Sequence, residues 1–269
     1  MEKIVWSITG NAWVEAEALL DGMYAPFEAM LAGDVPAGAR VLDIGCGTGA
    51  TTVAAARRAG PDGKALGVDI SEVMIAAARA RAVREGVAAR FALGDAQGFA
   101  FEAGRFDRVI SRFGLMFFDD FVAAFANLRR AAAPGAMLHA IAWRSGDENP
   151  FMMAAERVAA PLLPEFAVRP SIEENGQFAF GDPARVLDIL AGSGWQEAAL
   201  APIDVACAFP AAALPFYLAR LGPVGRALEG SDPELRDRVL VAVLPAFDRY
   251  VVGDEVRFDA ACWSITARA

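Results

Sequence analysis

Residues 41–49 read Val41-Leu42-Asp43-Ile44-Gly45-Cys46-Gly47-Thr48-Gly49. The apolar start predicts a buried strand, and the alternating glycines predict a tight turn that leads into a helix. A glycine turn lets a ligand come close to the main chain, because glycine has no Cβ. The next apolar run ends at Asp69, and an acid about 20 residues beyond such a turn is typical of ribose binding. The spacing therefore predicts a site for a nucleotide-like ligand.

The details of the turn argue against a nicotinamide cofactor. Dinucleotide sites carry G-x-G-x-x-G, which directs a helix N-terminus at a pyrophosphate, whereas this turn is Gly45-x-Gly47-x-Gly49 and follows Asp43. An acid at the mouth of the turn repels a pyrophosphate and suits a ligand with a cationic amine. A nicotinamide-dependent oxidoreductase stays a disfavoured alternative.

The runs 43–49 and 67–71 together resemble the class I S-adenosylmethionine (SAM) dependent methyltransferases. The resemblance implies an α/β fold: a Rossmann-like, doubly wound, seven-stranded sheet that is mostly parallel. Its last two strands would form an antiparallel hairpin beside strand five, with helical lid insertions. Residues 111–120 are similar to small-molecule methyltransferases of the ubiquinone/menaquinone-biosynthesis type. SAM as cofactor and S-adenosylhomocysteine as product follow from the resemblance.

The pattern of the chain itself also indicates a parallel sheet, because apolar runs alternate with helical stretches. Predicted strands begin at Val41 and cover 65–68, 89–93, 106–111, 136–143, 197–208 and 255–267. Predicted helices cover 11–31, 50–59, 71–84 and 183–191, and another begins after Asp119 or Asp120. Pro26 is expected to break the first helix into two.

We expect one methyltransferase domain over residues 1–269. Residues 1–38 would form an N-terminal helical cap, and residues 144–181 and 211–250 would be lid or substrate insertions. The segment 144–181 contains four prolines, so neither a clean helix nor a strand is expected there.

The resemblance implies roles for the residues around the methionine and ribose parts of SAM. Gly45 and Gly47 would pass their main chain along the methionine part, with Asp43 near its ammonium group. Asp69 would accept hydrogen bonds from both ribose hydroxyls. The alternative for Asp69 is a helix or turn cap.

Around the adenine, the resemblance implies four further residues. Ile70 and Met74 would pack on the ring, with ordinary core packing as the alternative. Asp95 would accept from the adenine amino group, or would only cap a turn. Ala96 would donate its backbone N–H to the ring.

Three more residues complete the implied cofactor site. Ser111 would offer its carbonyl to the ammonium group, and Phe113 would lie beside the adenosine. Trp13 would help to close the site, or would only pack its helix on the domain.

Acceptor contacts are expected from the sulfur and aromatic side chains outside these motifs, because electron-rich rings attract a sulfonium and exclude water. The candidates are Met116, Phe117, Trp143, Phe178 and Tyr217; core or lid packing is their alternative. Arg112 is either a loop cation neutralised by Asp119 or a contact for a substrate carboxylate.

His139 is the single histidine and a weak candidate for a general base. A buried neutral histidine is the favoured interpretation, because strand five is expected to be covered by helices. Cys46, Cys207 and Cys262 show no metal-ligand or CxxC spacing, so no metal site is expected.

The net charge of −9 argues against nucleic acid and anionic membranes as partners, since both require a basic surface. The sequence shows neither a signal-peptide layout nor a long apolar run, so a cytoplasmic protein without membrane insertion is expected. The oligomeric state is left open.

The expected function is transfer of the SAM methyl group to a small, apolar or aromatic molecule. The main alternative is a SAM-binding protein with another output, such as a cyclase or a catalytically silent partner subunit.

Overall fold

A mixed eight-stranded sheet forms the centre of the structure, a computed structural model that describes residues 10–163 and 166–269. Residues 1–9 of the expected cap and residues 164–165 of the expected insertion lie outside the described residues. The strands are β1 (Arg40–Ile44), β2 (Lys64–Asp69), β3 (Ala89–Leu93), β4 (Phe106–Arg112), β5 (Ala132–Trp143), β6 (Gln196–Pro210), β7 (Val251–Val252) and β8 (Glu255–Arg268).

The strand order is β3-β2-β1-β4-β5-β8-β6, with the two-residue β7 paired to β8. Strands β1 to β5 pair in parallel, whereas β8 pairs antiparallel with both β5 and β6. The direction of the strand order reverses between β1 and β4, which is where open α/β sheets bind ligands. The predicted mostly parallel sheet with an antiparallel pair beside strand five is confirmed.

Helices cover both faces of the sheet. They are α1 (Glu17–Gly33), α2 (Ala50–Ala59), α3 (Glu72–Arg84), α4 (Phe121–Ala131), α5 (Pro150–Ala159), α6 (Pro183–Gly192), α7 (Leu214–Arg220), α8 (Gly222–Ala227) and α9 (Pro233–Val243). Residues 10–15 are also helical, and short 3₁₀ helices lie at Ala160–Leu162, Ala211–Ala213 and Leu244–Tyr250. No helix within the described residues is both long and apolar enough to cross a lipid bilayer.

Two expectations about prolines were wrong. Helix α1 continues through Pro26, and the chain leaves helical geometry at Ala16 instead. Gly22 and Pro26 are both exposed, so water can satisfy the carbonyl that the proline leaves unpaired. Pro150 is the first residue of α5, a position at which proline needs no N–H donor. The segment 144–181 therefore contains a regular helix.

The carboxyl ends of β1 and β4 touch through glycine. A Cβ atom on Gly45 would lie 2.6 Å from the Gly114 Cα, and one on Gly114 would overlap the Ile44 carbonyl oxygen. Ser111 joins the same two segments, because its Oγ donates to the Ile44 carbonyl at 2.7 Å and accepts from the Gly114 N–H at 3.1 Å. Only residues without a side chain let the two strand ends approach this closely.

We expect Gly45→Ala to be much more destabilising than Gly38→Ala. Both glycines have positive φ, +65° and +77°, but a Cβ on Gly38 meets nothing within 4 Å. Gly38→Ala should therefore lower the free energy of unfolding by about 1 kcal/mol, the cost of a left-handed conformation. Gly45→Ala should lower it by about 3 kcal/mol or more, because the overlap with Gly114 adds to that cost. Urea unfolding measures both, and equal losses would show that the ends of β1 and β4 separate freely.

Candidate functional site

The polar residues singled out in the sequence collect at one edge of the sheet. Because β1 to β5 are parallel, their carboxyl ends meet on the same side. The residues on this edge are the glycine turn 45–49, Asp69, Asp95, Ser111, Arg112 and Trp143. His139 lies four residues before Trp143, roughly 13 Å along the strand, and is not part of this edge.

The glycines of the turn differ in what surrounds them. A Cβ on Gly49 would lie 2.9 Å from the Ala78 Cβ, so this glycine lets the turn pack on α3. A Cβ on Gly47 would meet only the Met74 Sδ, at 3.8 Å. Gly47 is thus the glycine with space beside it, while Gly45 faces Gly114. Met74 lines this space, although its own side chain is buried.

Asp43 is buried directly beneath the glycine turn, with 1% of its surface exposed. Its Oδ2 accepts a hydrogen bond from the Thr52 Oγ1 at 2.6 Å, whereas its Oδ1 has no hydrogen-bond partner within the described residues. Burial raises the pKa of Asp43 to about 7, opposed mainly by the Thr52 hydrogen bond. An orphaned carboxylate oxygen in such surroundings is suited to a cationic group.

Thr52 was not identified from the sequence. It belongs to the first turn of α2, and only the fold shows that its hydroxyl reaches back to the β1 acid. No local motif marks this residue.

Asp69 ends β2 and holds the turn in place. Its Oδ2 accepts from the Gly47 N–H and its Oδ1 from the Ser71 N–H, both at 2.9 Å. Burial is the largest effect on its pKa and raises it, although these bonds oppose the shift. A carboxylate has about four acceptor positions, so both oxygens retain lone pairs for further donors. The turn-cap role is observed, and the ribose role stays a prediction.

The loop after β3 is fixed by side-chain hydrogen bonds. Asp95 is half-buried and accepts from the Gln97 N–H at 3.0 Å. Asn127 of α4, which the sequence did not single out, donates its Nδ2 to the carbonyls of Ala96 and Phe99, both at 2.9 Å. The Ala96 side chain is buried. Ile70, on the neighbouring β2 loop, is half-buried.

Four rings, Tyr24, Phe27, Phe113 and Trp143, form an aromatic cluster beside the end of β4. Phe113 stacks on Trp143 with ring centroids 4.6 Å apart and an interplanar angle of 14°. Its edge contacts reach Tyr24 at 5.4 Å and Phe27 at 5.1 Å. Phe113 has a φ of +62°, a conformation that non-glycine residues adopt mostly where surrounding structure enforces it. Trp13 is half-buried and packs against the hydrophobic core that includes Tyr24, Phe27 and Trp143.

Arg112 is not neutralised by Asp119. Within the described residues Arg112 forms no ion pair, and Asp119 is exposed. Its guanidinium lies 5.7 Å from the centre of the Tyr24 ring. Burial lowers the pKa of Arg112, and the carboxylates of Glu28 and Asp43 oppose this. The expectation of a loop cation paired with Asp119 was therefore wrong.

The remaining acceptor candidates differ in exposure. Met116 and Phe178 are buried in the core, which agrees with the alternative that they only pack the core. Phe117 and Tyr217 are half-buried, and the Tyr217 hydroxyl lies 3.7 Å from the Met152 Sδ. Trp143 is buried within the aromatic cluster.

His139 joins β5 to the end of the cap helix. Its Nδ1 lies 2.7 Å from the Asp34 Oδ2, and its Nε2 lies 3.1 Å from the Ser264 Oγ. Burial lowers the pKa of His139, and Asp34 acts against this shift. The contacts agree with a structural, buried histidine.

The fold and this edge agree with the class of protein that the sequence resembles. The parallel strands follow the order 3-2-1-4-5, and an antiparallel pair lies beside β5. A buried acid precedes the glycine turn, and further acids follow β2 and β3. These are the features of a class I methyltransferase domain. The comparisons with known proteins place the chain more closely.

Residues 41–135 match the sequence family described as a methyltransferase domain. Nocamycin O-methyltransferase of Saccharothrix syringae is 34% identical over 170 residues, covering 60% of this chain and 60% of that protein. The ubiquinone/menaquinone biosynthesis C-methyltransferase UbiE of Burkholderia vietnamiensis is 36% identical over 131 residues, covering 48% of this chain and 54% of that protein. A SAM-dependent methyltransferase structure from Aquifex aeolicus shares the fold, with a TM-score of 0.53 and 15% identity over 93% of this chain and 92% of that one.

Residues 41–135 are therefore a class I SAM-dependent methyltransferase domain, and SAM is the cofactor of this class. The family resemblance seen in the sequence is confirmed. The chain spans only 60% and 54% of the lengths of the two curated relatives.

The buried Asp43 should make stability depend on pH. Its folded pKa of about 7 lies above the unfolded value of about 3.9, so the folded state binds the extra proton between these values. Asp43 therefore contributes to the free energy of unfolding at acidic pH. This contribution, up to about 4 kcal/mol, is lost as the pH rises through about 7. Asp43→Asn keeps an acceptor for Thr52 and removes the titration.

Urea unfolding from about pH 5 to about pH 8 tests this. The Asn variant should gain stability over the wild type as the pH rises, and Asp62→Asn, at an exposed acid, should not. Parallel pH profiles for the wild type and Asp43→Asn would contradict the prediction.

Proposed function

We propose that the chain binds SAM at the edge formed by β1 to β4 and transfers its methyl group to a small, apolar or aromatic molecule. The observation that carries the proposal is the orphaned Oδ1 of buried Asp43, two residues before a glycine turn in which Gly47 has open space beside it. This arrangement fits a ligand that places an ammonium group at the turn. When bound, SAM supplies an electrophilic methyl group on a sulfonium.

The strand-end acids fit the rest of the cofactor. Asp69 holds the turn and keeps lone pairs for ribose hydroxyls, with both oxygens directed by backbone N–H groups. The loop that carries Asp95 and Ala96 is fixed by Asn127. Met74 lies beside the open side of Gly47, and we assign Ile70 and Met74 to the adenine. The carbonyl of Ser111, next to the last residue of β4, is assigned to the ammonium group.

Catalysis in this proposal depends on positioning and on a dry site. Methyl transfer from a sulfonium disperses charge, so alignment of the reacting atoms and exclusion of water provide much of the rate. The aromatic cluster of Tyr24, Phe27, Phe113 and Trp143 borders the edge and supplies apolar, electron-rich surface. His139 contacts Asp34 and Ser264, so we assign it no part in the chemistry.

The acceptor class rests on the aromatic cluster and on the relatives. One relative is named for nocamycin and the other for ubiquinone/menaquinone biosynthesis, and both names refer to small molecules. The net charge of −9 favours such an acceptor over a nucleic acid. Phe117 and Tyr217 are the half-buried side chains that we propose for acceptor contact.

The cap and the two insertions are proposed to close the site. Arg81 of α3 binds Asp21 of α1 at 2.6 Å and lies 3.4 Å from the Thr48 Oγ1 of the glycine turn. Arg220 of α7 binds Glu15 at 2.6 Å. The cap is thereby tied both to the cofactor side and to the 211–250 insertion.

Asp69→Ala should lower affinity for S-adenosylhomocysteine by roughly ten-fold or more, because two charge-assisted hydrogen bonds to ribose are lost. Methylthioadenosine, which keeps the ribose and lacks the amino-acid group, should lose affinity to a similar extent. Isothermal titration of both ligands measures this, with Asp62→Ala as the matched control at an exposed acid. Unchanged affinities would show that the ribose lies elsewhere.

Methyl transfer itself is tested by mass spectrometry after incubation with SAM and a panel of phenolic and quinol acceptors. A mass gain of one methyl group together with S-adenosylhomocysteine supports the proposal. Binding of SAM without its consumption by any acceptor would favour a SAM-binding protein with another output. Failure to bind either adenosine ligand would overturn the proposed function.

A further inference from the structure

An apolar region lies on the part of the sheet that projects past the end of β5. Strand β5 ends at Trp143, which pairs with Cys262 of β8, whereas β8 continues to pair with β6 as far as Glu255. Side chains two residues apart in a strand share a face. Phe258, which pairs with Cys207, therefore lies on the same face of the sheet as Trp143.

Tyr217 of α7 is half-buried and packs over this face. Its ring centroid lies 5.3 Å from that of Phe209 and 5.9 Å from that of Phe151. Phe151 in turn stacks on Phe258, with ring centroids 3.9 Å apart and an interplanar angle of 2°. Within the described residues the Tyr217 hydroxyl donates only to the Met152 Sδ, at 3.7 Å. A thioether is a weak acceptor, so this O–H is available to a stronger one.

The Tyr217 hydroxyl is directed toward the aromatic cluster at the end of β4. Among the side chains that act on the pKa of Tyr24, Tyr217 has the largest effect, which indicates that the two hydroxyl groups lie in one buried region. The Tyr24 ring lies 5.4 Å from that of Phe113 and 6.4 Å from that of Trp143. Tyr217 is therefore placed to contact an acceptor that packs on this cluster.

We find no general base among the described side chains around Tyr217. Burial raises the pKa of Tyr217, and the side chains that shift it further are Arg169 and Cys207, neither of them a carboxylate. Burial likewise raises the pKa values of the Cys207 and Cys262 thiols. Glu156 of α5 is buried, but Arg169 binds its carboxylate through Nε at 2.8 Å. These groups stay protonated or paired near neutral pH, so the acceptor must lose its proton elsewhere.

We propose that the acceptor is a small molecule with an acidic hydroxyl group, of the enol or electron-poor phenol class, and that Tyr217 donates a hydrogen bond to its oxyanion. This inference rests on the proposed function. A hydrogen bond to an ionised oxygen favours the anion, and an acceptor that is already ionised needs no general base.

The methyl transfer is balanced without a proton step. The oxyanion attacks the methyl carbon of SAM, the carbon–oxygen bond forms as the carbon–sulfur bond breaks, and the electron pair of the broken bond goes to sulfur. The products are a methyl ether and S-adenosylhomocysteine. The acceptor releases its proton to water before it binds.

The first test uses 4-nitrophenol, whose anion absorbs visible light and thus reports its own ionisation. The phenol is titrated with pH in the presence of protein saturated with S-adenosylhomocysteine. The bound phenol should be more acidic than the free phenol, and its acid dissociation constant should be roughly ten-fold larger on the wild type than on Tyr217→Phe. The variant should bind S-adenosylhomocysteine as the wild type does, within about two-fold, which also shows that it is folded.

Tyr250→Phe is the matched control. The Tyr250 ring packs on Phe151 in the same region, with centroids 5.0 Å apart, but its hydroxyl accepts from the Arg249 Nη2 at 2.5 Å. Its loss should leave the acidity of the bound phenol unchanged. Equal acidity on the wild type and on Tyr217→Phe would overturn the inference, as would a phenol that is less acidic when bound than when free.

Turnover provides a second readout that separates an ionised acceptor from a base in the protein. From about pH 6 to about pH 8, kcat/KM for 4-methylphenol, a much weaker acid, should rise roughly ten-fold per pH unit, because its anion stays a small fraction. The value for 4-nitrophenol should instead level off as this phenol ionises. The same profile for both phenols would indicate a protein base and would overturn the inference.

The proposed function can fail separately. A wild type that binds S-adenosylhomocysteine but not 4-nitrophenol would overturn this inference and leave the proposed function standing. A wild type that does not bind S-adenosylhomocysteine would overturn both.

Discussion

The contact between the ends of β1 and β4 is the constraint on which the site depends. Gly45 and Gly114 meet backbone to backbone, and Ser111 bonds both segments with one hydroxyl. The contact sets the distance between the glycine turn and the β4 loop, and it therefore fixes where Asp43, Arg112 and the aromatic cluster stand relative to each other. A side chain at either glycine would push apart β1 and β4, the two strands between which the strand order reverses.

Charge is the second organising feature of this edge. Asp43 is buried, Glu28 and Arg112 are half-buried, and none of the three forms an ion pair within the described residues. Burial raises the pKa values of Asp43 and Glu28 and lowers the pKa of Arg112, so it favours the neutral form of each group. A folded protein tolerates such an arrangement where a ligand completes it. A ligand with matched charges would lower the cost of this burial, so binding at this edge should raise the stability of the chain.

Most of the sheet could be predicted from the sequence, because the periodicity of apolar residues and the glycines and prolines that end each element are local signals. The predicted helix 50–59 and strand 89–93 match the observed bounds, and the strand-end acids lie on one edge as expected. The misses depend on tertiary context. Pro26 is tolerated in α1 because it faces solvent, and the partners of Asp43 and Ala96 come from α2 and α4, segments that no motif connects to them. Arg112 was assigned to Asp119, an acid in the loop that follows it, but the sequence does not show in which direction either side chain points.

The position of β8 affects the order in which the strands can pair during synthesis. Within the described residues β6 pairs only with β8, and β8 lies between β6 and β5, although some 45 residues separate β6 from β8 in the chain. On the ribosome β6 emerges first and has no strand to join until β8 follows, so a wide loop must close late. Trp143 pairs with Cys262 of β8, and the wall of the site that carries Trp143 is therefore completed in the same late step. The glycine turn and β1 to β4 are synthesised earlier, so the part of the edge with the glycine turn can assemble ahead of the part that carries Trp143.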